Sequence, residues 1–428
     1  MIDVEEYLNN LFKANKKRTL KAMQYFMNKF QHFEKEMKFI HIAGTNGKGS
    51  CTEIIANILE KQGYKVGKFL SPHLIKYNER ISINGKEISD EEMSDIIEEL
   101  QPLIEEYNHS QNTKVTVFEL ITTMALLYFY RNSVDFVVLE TVLGGLDDCT
   151  NIITNPVVSV ITSIGYDHTK ILGDTLTEIA HQKAGIIKEN SHTVIFEQEA
   201  DINEVFINEC KKKNNNLHIV NNSDISNYSF DEEFQHFNYK DLKNLSINLK
   251  GKMQIQNASI CIEVINILNK LGYKVNEKNI LEGLKTVIHK GRMEQLSNNP
   301  KIIYDGAHND PAIRNLLDMV DIYYPKLKRV YIISILKRKD YRRMLKLLAK
   351  DENAIFVMTS GNDSDRYASK DELYDCMKEF VNSDRIYRKE LDVALQDALN
   401  TDDDTVNFVI GSLYTYSTVV NKIKKFLI

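Results

Sequence analysis

The feature that most narrows the fold is a regular alternation of two patterns. Short apolar runs such as KFIHIAG, KVGKFL, VDFVVLE and VVSVITSI read as buried strands, and between them SDEEMSDIIEELQPLIEEY and TVFELITTMALLYFY repeat apolar residues at helical spacing. A chain built this way predicts an α/β fold: a mainly parallel sheet with helices on both faces. Its 428 residues exceed one ordinary core and fit two domains. A second series, KIIYDGA, RVYIISIL, AIFVMTS and VNFVIGS, follows an Asn/Pro-containing joint near 296–300, which predicts domains over 1–296 and 297–428. Around 217–251 an Asn-rich, short-stranded stretch predicts a small antiparallel excursion. Helix resumes at MQIQNASICIEVINILNKLG.

Composition serves mainly to exclude. Apolar residues at 43% and charged residues at 27% are ordinary for a folded soluble protein. No apolar run reaches the ~18 residues of a membrane span, and MIDVEEYLNN lacks the basic-then-apolar layout of a secretory signal. Five cysteines lie far apart without a CxxC pair, which reads as reduced thiols in a cytoplasmic protein. A formal charge of −6 argues against a nucleic-acid binder held by phosphate attraction. A cytoplasmic enzyme with small-molecule substrates is the expectation, with a monomer as default.

The segment HIAGTNGKGSCTEIIANILEK, residues 41–61, runs from a strand through a glycine-rich turn into a helix. Such a turn lets backbone N–H groups converge on an anion at the positive end of the helix. Lys48 is placed to neutralise phosphate charge and the Ser50 hydroxyl to ligate Mg²⁺. The spacing departs from GxxxxGK[ST]: two residues separate Gly44 from Gly47, and Gly49 lies between Lys48 and Ser50. The competing reading is a glycine-rich turn with an incidental lysine. VDFVVLE ends in Glu140, which either reaches the same metal at the carboxyl edge of the sheet or faces solvent. His168 follows VVSVITSI and emerges at that edge too, as a metal ligand or as a turn cap.

GTNGKGS, FLSPHLIKYNERISING, ETVLGGLDDCTNI and SIGYDHTKILGDTLTEIAHQKAGIIK, followed by MQIQNA, GRMEQ, DGAHNDPA and GSLY, together resemble the folylpolyglutamate synthase/dihydrofolate synthase family of Mur-type ATP-dependent ligases. The resemblance implies a P-loop-type domain, a smaller Rossmann-like C-terminal domain, and ATP between them. It implies nucleotide contacts at Gly44, Thr45, Asn46, Gly47, Lys48, Gly49, Ser50, Asn257, Arg292 and Asp305. Two Mg²⁺ ions are implied, one at Ser50 and Glu140 and the other at Ser71, Glu140 and His168. Substrate contacts are implied at Ser71, Pro72 and His73, and catalytic roles at Lys48, Lys183 and His308. Lys183 matches a lysine that CO₂ carbamylates in this group; without the resemblance it reads as a solvated helix lysine. NKKRTL occupies the place of a pterin-site segment but matches poorly, and no role is carried over.

On chemistry alone, Arg292 is either a linker arginine or a planar fork for phosphates. Asp305 ends KIIYD, where an acid can accept hydrogen bonds from ribose hydroxyls. His308 reads equally as a helix-start residue. The chain departs from the family pattern at Thr141 and Val142 (Val-Gly in the family), at Leu146 (Arg) and at Met253 (His). The implied reaction joins L-glutamate to the γ-carboxylate of tetrahydrofolate through an acyl phosphate, with dihydropteroate open as a second acceptor. Closure of the second domain about a hinge near 290–300 is expected to exclude water. The alternatives are another Mur-type ligase with a non-folate acceptor and a P-loop ATP switch; the set Ser71, His168 and Lys183 speaks against a switch.

Overall fold

The computed structural model describes residues 2–11, 19–361, 363 and 365–427; residues 15–18 of the NKKRTL segment lie outside them. The chain forms two compact units. The first holds 1–230, 234–248 and 254–287, and the second 231–233, 249–253 and 288–428.

In the first unit eight strands form one sheet: β1 (Phe39–Ala43), β2 (Val66–Phe69), β3 (Ile81–Ile83), β4 (Lys86–Glu87), β5 (Phe136–Glu140), β6 (Val158–Ile161), β7 (His192–Phe196) and β8 (Asn216–Val220). Their order is β4-β3-β2-β5-β1-β6-β7-β8, parallel except where β3 meets β2 and β4. β1 and β5 are buried at every residue, which is why their sequences are unbroken apolar runs and do not alternate. Val137 and Leu139 pack with helices Asp90–Gln111 and Val117–Arg131, whereas Ala43 and Ile161 join a core built from Ala180, Ile195 and Phe206. The sheet is thus covered on both faces, as the alternation predicts.

The excursion is real but shorter than expected. Residues 216–220 pair with β7 in the large sheet. Only β9 (Ile225–Phe230), β10 (Gln235–Tyr239) and β11 (Leu242–Ile247) form the separate antiparallel sheet. Apolar LHIV suits a parallel ladder, while the Asn-rich segment cannot fill two buried faces. Glu263, on helix Lys252–Lys270, anchors this small sheet: it accepts from Tyr239 Oη at 3.0 Å and Lys240 Nζ at 2.8 Å. His218 Nδ1 lies 3.7 Å away on its other oxygen.

The second unit has a six-stranded sheet of β12 (Glu294–Ser297), β13 (Lys301–Asp305), β14 (Lys328–Ile333), β15 (Ala354–Met358), β16 (Ile386–Arg388) and β17 (Thr405–Ile410). The order is β12-β13-β17-β14-β15-β16, with β12 alone antiparallel. The joint expected near 296–300 is therefore no boundary. Asn298, Asn299 and Pro300 turn the β12–β13 hairpin, and the units divide at 287/288. Asn and Pro mark hairpin turns as readily as linkers. Among the described residues no helix is long and apolar enough to cross a membrane.

The Glu263 carboxyl is held below its ordinary value of 4.5, first by His218, with burial opposing and Lys240 and Tyr239 assisting. A depressed carboxylate contributes stability that is present above its unfolded value and is lost as pH falls below it. Glu263→Gln is therefore expected to cost about 1.5–3 kcal/mol at pH 7, the scale of a hydrogen bond to a charged group. It should also flatten the loss of stability below about pH 4.5, which urea unfolding across a pH series would measure.

Candidate active site

The glycine-rich turn leaves β1 at Ala43 and enters helix Lys48–Lys61. It is braced from below by the segment following β6. Thr45 donates its N–H to Ser163 O at 2.8 Å, and its hydroxyl bonds Gly165 at 3.0 Å. The Thr162 hydroxyl donates to Asn46 O at 2.6 Å. A Cβ on Gly44 would lie 1.7 Å from Thr162 Oγ1, so no other residue fits there. Gly47 has φ 89°, and a Cβ on it would meet Asn257 Oδ1 at 2.5 Å. Asn257 is itself oriented by Gln254 at 3.0 Å. Because Thr45 spends its N–H on Ser163, anion contacts from this turn fall to later groups, above all the opening N–H groups of the helix.

Two lysines converge on one carbonyl of this turn. Lys183 Nζ donates to Gly44 O at 2.7 Å, and Lys48 Nζ lies 3.2 Å from the same oxygen and 3.4 Å from Thr45 O. Lys48 also stands 3.8 Å from Glu140 Oε1. Glu140 is 2% exposed, and its other oxygen accepts the Ser71 N–H at 3.2 Å. Lys183 is 3% exposed, at the end of a helix whose start is fixed by a Thr175–Glu178 capping box. Burial, with a smaller push from Lys48, lowers its pKa to about 7; Asp167 and Asp148 act in the opposite direction.

The turn after Glu140 is tied down by Asp148, which accepts from Leu143 N at 2.7 Å and Thr150 Oγ1 at 2.6 Å. Thr150 Oγ1 is in turn 2.8 Å from Nε2 of the fully buried His41 on β1. Burial, aided by Lys188, lowers the His41 pKa to about 3, so this link is a neutral one.

The structure thus gathers Gly44, Thr45, Asn46, Gly47, Lys48, Glu140, Ser71, Lys183 and Asn257 at one place in the first unit. Ser50 is 3% exposed on the first turn of the helix. His168 has φ 51° and sits at the head of the short helix Thr169–Leu172, with Nε2 3.8 Å from Asp167. Pro72 and His73 continue the loop from Ser71, and Arg80 Nε donates to His73 Nδ1 at 2.9 Å.

Arg292, Asp305 and His308 belong to the second unit. Asp305 accepts from Met293 N at 2.9 Å and Ala307 N at 2.8 Å, so each oxygen already has a backbone donor before any ribose. Burial raises its pKa while Arg292 opposes. His308 Nδ1 lies 2.7 Å from Gly306 O, just before helix Asp310–Tyr323.

Sequence reasoning passed over Asp148, Asp167 and Arg80. All three lie inside stretches already singled out. A buried lysine requires nearby anions, and that requirement is the signal that finds the two acids.

Among the described residues no group of three or more His, Cys, Asp or Glu could hold a metal ion. The available donors are Glu140, His168 and the hydroxyls of Ser50 and Ser71. That set suits a hard cation taking its remaining ligands from phosphate and water, not one caged by protein alone.

Two family models match. The Mur ligase middle domain covers residues 42–265, and the Mur ligase glutamate ligase domain covers 291–413. The chain is 32% identical over 432 residues to the dihydrofolate synthase/folylpolyglutamate synthase of Bacillus subtilis, spanning 99% of each. It is also 32% identical to the folylpolyglutamate synthase of Lacticaseibacillus casei, over 90% of each. Among solved structures, Mycobacterium tuberculosis folylpolyglutamate synthase complexed with ADP and AMPPCP superposes with TM-score 0.87 at 26% identity, over 99% of this chain and 97% of that one. An FPGS–AMPPCP–folate complex gives TM-score 0.84 at 29% identity, over 97% and 98%. Coverage of nearly the whole chain by these relatives, with a nucleotide turn of the geometry just described, places the chain in the folylpolyglutamate synthase/dihydrofolate synthase family of ATP-dependent ligases.

Proposed function

We propose that the chain joins L-glutamate to the γ-carboxylate of tetrahydrofolate, with dihydropteroate as a second acceptor, at the expense of ATP. The observation that carries this reading is the convergence of Lys48, Lys183, Glu140 and the Ser71 N–H on the glycine-rich turn. A free carboxylate is a poor electrophile and must first take a phosphoryl group. Lys48 moves from the Gly44 and Thr45 carbonyls to the β- and γ-phosphates, where its charge offsets that of the transferring group. The opening N–H groups of the helix hold the phosphates in line with the acceptor. The glutamate amine then attacks the acyl phosphate, and phosphate leaves.

Glu140, Ser50, Ser71 and His168 would hold Mg²⁺, which when bound neutralises phosphate charge in this step. Lys183 is suited to carbamylation: with a pKa near 7 its amine is partly neutral at physiological pH and adds to CO₂ with loss of one proton. The carbamate would exchange a cation for an anion beside Lys48 and the metal. Arg292 and Asp305 are assigned to the nucleotide, and His308 to a catalytic role, through their motifs. All of this is the work of a single chain acting as a monomer.

The deciding experiment is ADP release with ATP alone, then with tetrahydrofolate and glutamate added. Ligation requires both; turnover independent of them would favour an ATP switch. Lys48→Ala should lower kcat by about 100-fold or more while leaving the circular dichroism spectrum unchanged. Wild-type turnover would remove Lys48 from the phosphate site. Lys183→Ala should be inactive and partly restored by short carboxylic acids. In the wild-type protein a ¹³C carbamate signal under ¹³CO₂ should grow as pH rises through about 7, and a lysine that stays unlabelled would remain a structural donor to Gly44.

A further inference from the structure

Three sequence stretches of the second unit, GRMEQ, DGAHNDPA and GSLY, meet at Gly306. A Cβ there would lie 2.1 Å from Leu413 Cδ2 and 3.3 Å from a terminal guanidinium nitrogen of Arg292, so any side chain would collide. The Gly306 N–H donates to Gly291 O at 2.9 Å. Gly291 and Met293 flank Arg292, and both are left-handed, with φ 72° and 44°. Glycine adopts that conformation freely, but a methionine holds it only where the surroundings over-determine the backbone. The ties that do so are visible. Met293 donates its N–H to Asp305 at 2.9 Å, and Gly291 donates its N–H to Glu294 Oε2 at 2.6 Å. The other Glu294 oxygen accepts from Tyr416 Oη at 2.8 Å. Tyr416 is 4% exposed at the start of helix Tyr416–Leu427, and its ring stands edge-on to that of Tyr304 on β13, centroids 5.1 Å apart at 89°.

Glu294 thus joins the turn that carries Arg292 to the helix that follows GSLY. An arginine side chain is long and flexible, and its planar fork recognises a phosphate only when it arrives from the right direction. That direction is set first by the backbone from which it projects, and here the backbone is one that local preference does not hold. We propose that Glu294 is a positioning residue for Arg292: by binding the Gly291 N–H and the Tyr416 hydroxyl together, it locks the turn 291–293 so that the guanidinium meets a nucleotide phosphate in one fixed orientation. The inference rests on the reading of Arg292 as a nucleotide contact. Glu294 does not touch the nucleotide; it acts through the turn.

The test compares Glu294→Ala, Glu294→Gln, Tyr416→Phe, Arg292→Ala and the double variant Glu294→Ala/Arg292→Ala in the full chain. For each, the Kd for AMPPCP with Mg²⁺ and the KM values for MgATP and tetrahydrofolate are measured together with thermal stability. Arg292→Ala and Glu294→Ala should each weaken AMPPCP by about 10- to 100-fold, the scale of one hydrogen bond to a charged group. The MgATP KM should rise in parallel, and the folate KM should stay within about twofold. Glu294→Gln keeps an acceptor for the Gly291 N–H and should bind AMPPCP within about threefold of wild type. A glutamine variant as impaired as the alanine variant would overturn the hydrogen-bonded brace. The double variant should be no worse than Arg292→Ala alone, because the two residues form one unit, and effects that multiply would overturn the positioning role. So would a Glu294→Ala protein that loses thermal stability but binds AMPPCP as wild type does, since Glu294 would then be only a hairpin tie. Unchanged AMPPCP affinity in Arg292→Ala would instead overturn the nucleotide reading of Arg292, and the inference with it. If Glu294→Ala fails to fold, Tyr416→Phe unhitches the carboxylate from the helix while leaving the Gly291 bond. It should weaken AMPPCP by about threefold or more with the folate KM unchanged, and wild-type affinity there would refute the proposal.

Discussion

The Gly44 carbonyl is the point on which the first unit's chemistry turns. One peptide oxygen at the end of β1 receives Lys183 and lies beside Lys48, two ammonium groups that would otherwise repel at close range. The repulsion is tolerable because Asp148, Asp167 and Glu140 stand around them and because the carbonyl dipole points at both. Gly44 cannot move away, since Thr162 fills the space where its side chain would be. Two lysine amines, that of Lys183 with its charge weakened by burial, are therefore held beside a turn whose helix N–H groups also favour an anion. A polyphosphate entering there meets an environment already arranged for it, and little reorganisation is left to do.

Most of the architecture was legible because the strands are buried on both faces and so write unbroken apolar runs into the sequence. β1, β5, β6 and β17, buried at every residue, were visible in this way, and β13, β14 and β15 by apolar runs that are buried over half or more of their length. The misreadings have a common physical origin. Asn and Pro near 296–300 satisfy a hairpin turn and a linker equally well, and only the pairing of Glu294 with Tyr304 distinguishes the two. Similarly, Leu217–Val220 lies beside an Asn-rich stretch but takes its ladder from β7, a strand distant in sequence. Pairing partners are long-range facts that local pattern does not carry.

The site was legible unevenly for a related reason. Lys48 and Glu140 announce themselves by standing at strand and helix ends. Lys183 looks like any helix lysine until its burial is known. Asp148 and His41 were passed over, although both sat within quoted stretches. Their connection runs through Thr150 and spans β1 and the turn after β5, which no spacing rule links. Of the departures from the family pattern, Val142 proves benign. The turn takes its left-handed residue at Gly144, with φ 78°, so position 142 needs no glycine.

Leu146 is the other departure, and its setting separates backbone from side chain. Its N–H is bound to Gln182 O at 2.7 Å, and its carbonyl accepts from Asn151 at 3.0 Å. Gly185 packs so closely that a Cβ there would come within 2.3 Å of the Leu146 Cα. Yet the leucine side chain is 49% exposed. The main chain is clamped while the group it carries faces outward, so exchanging that group alters the chemical character of the rim with little consequence for folding. Backbone and side chain answer to different constraints here: the first is fixed by its hydrogen bonds and by Gly185, the second chiefly by solvent.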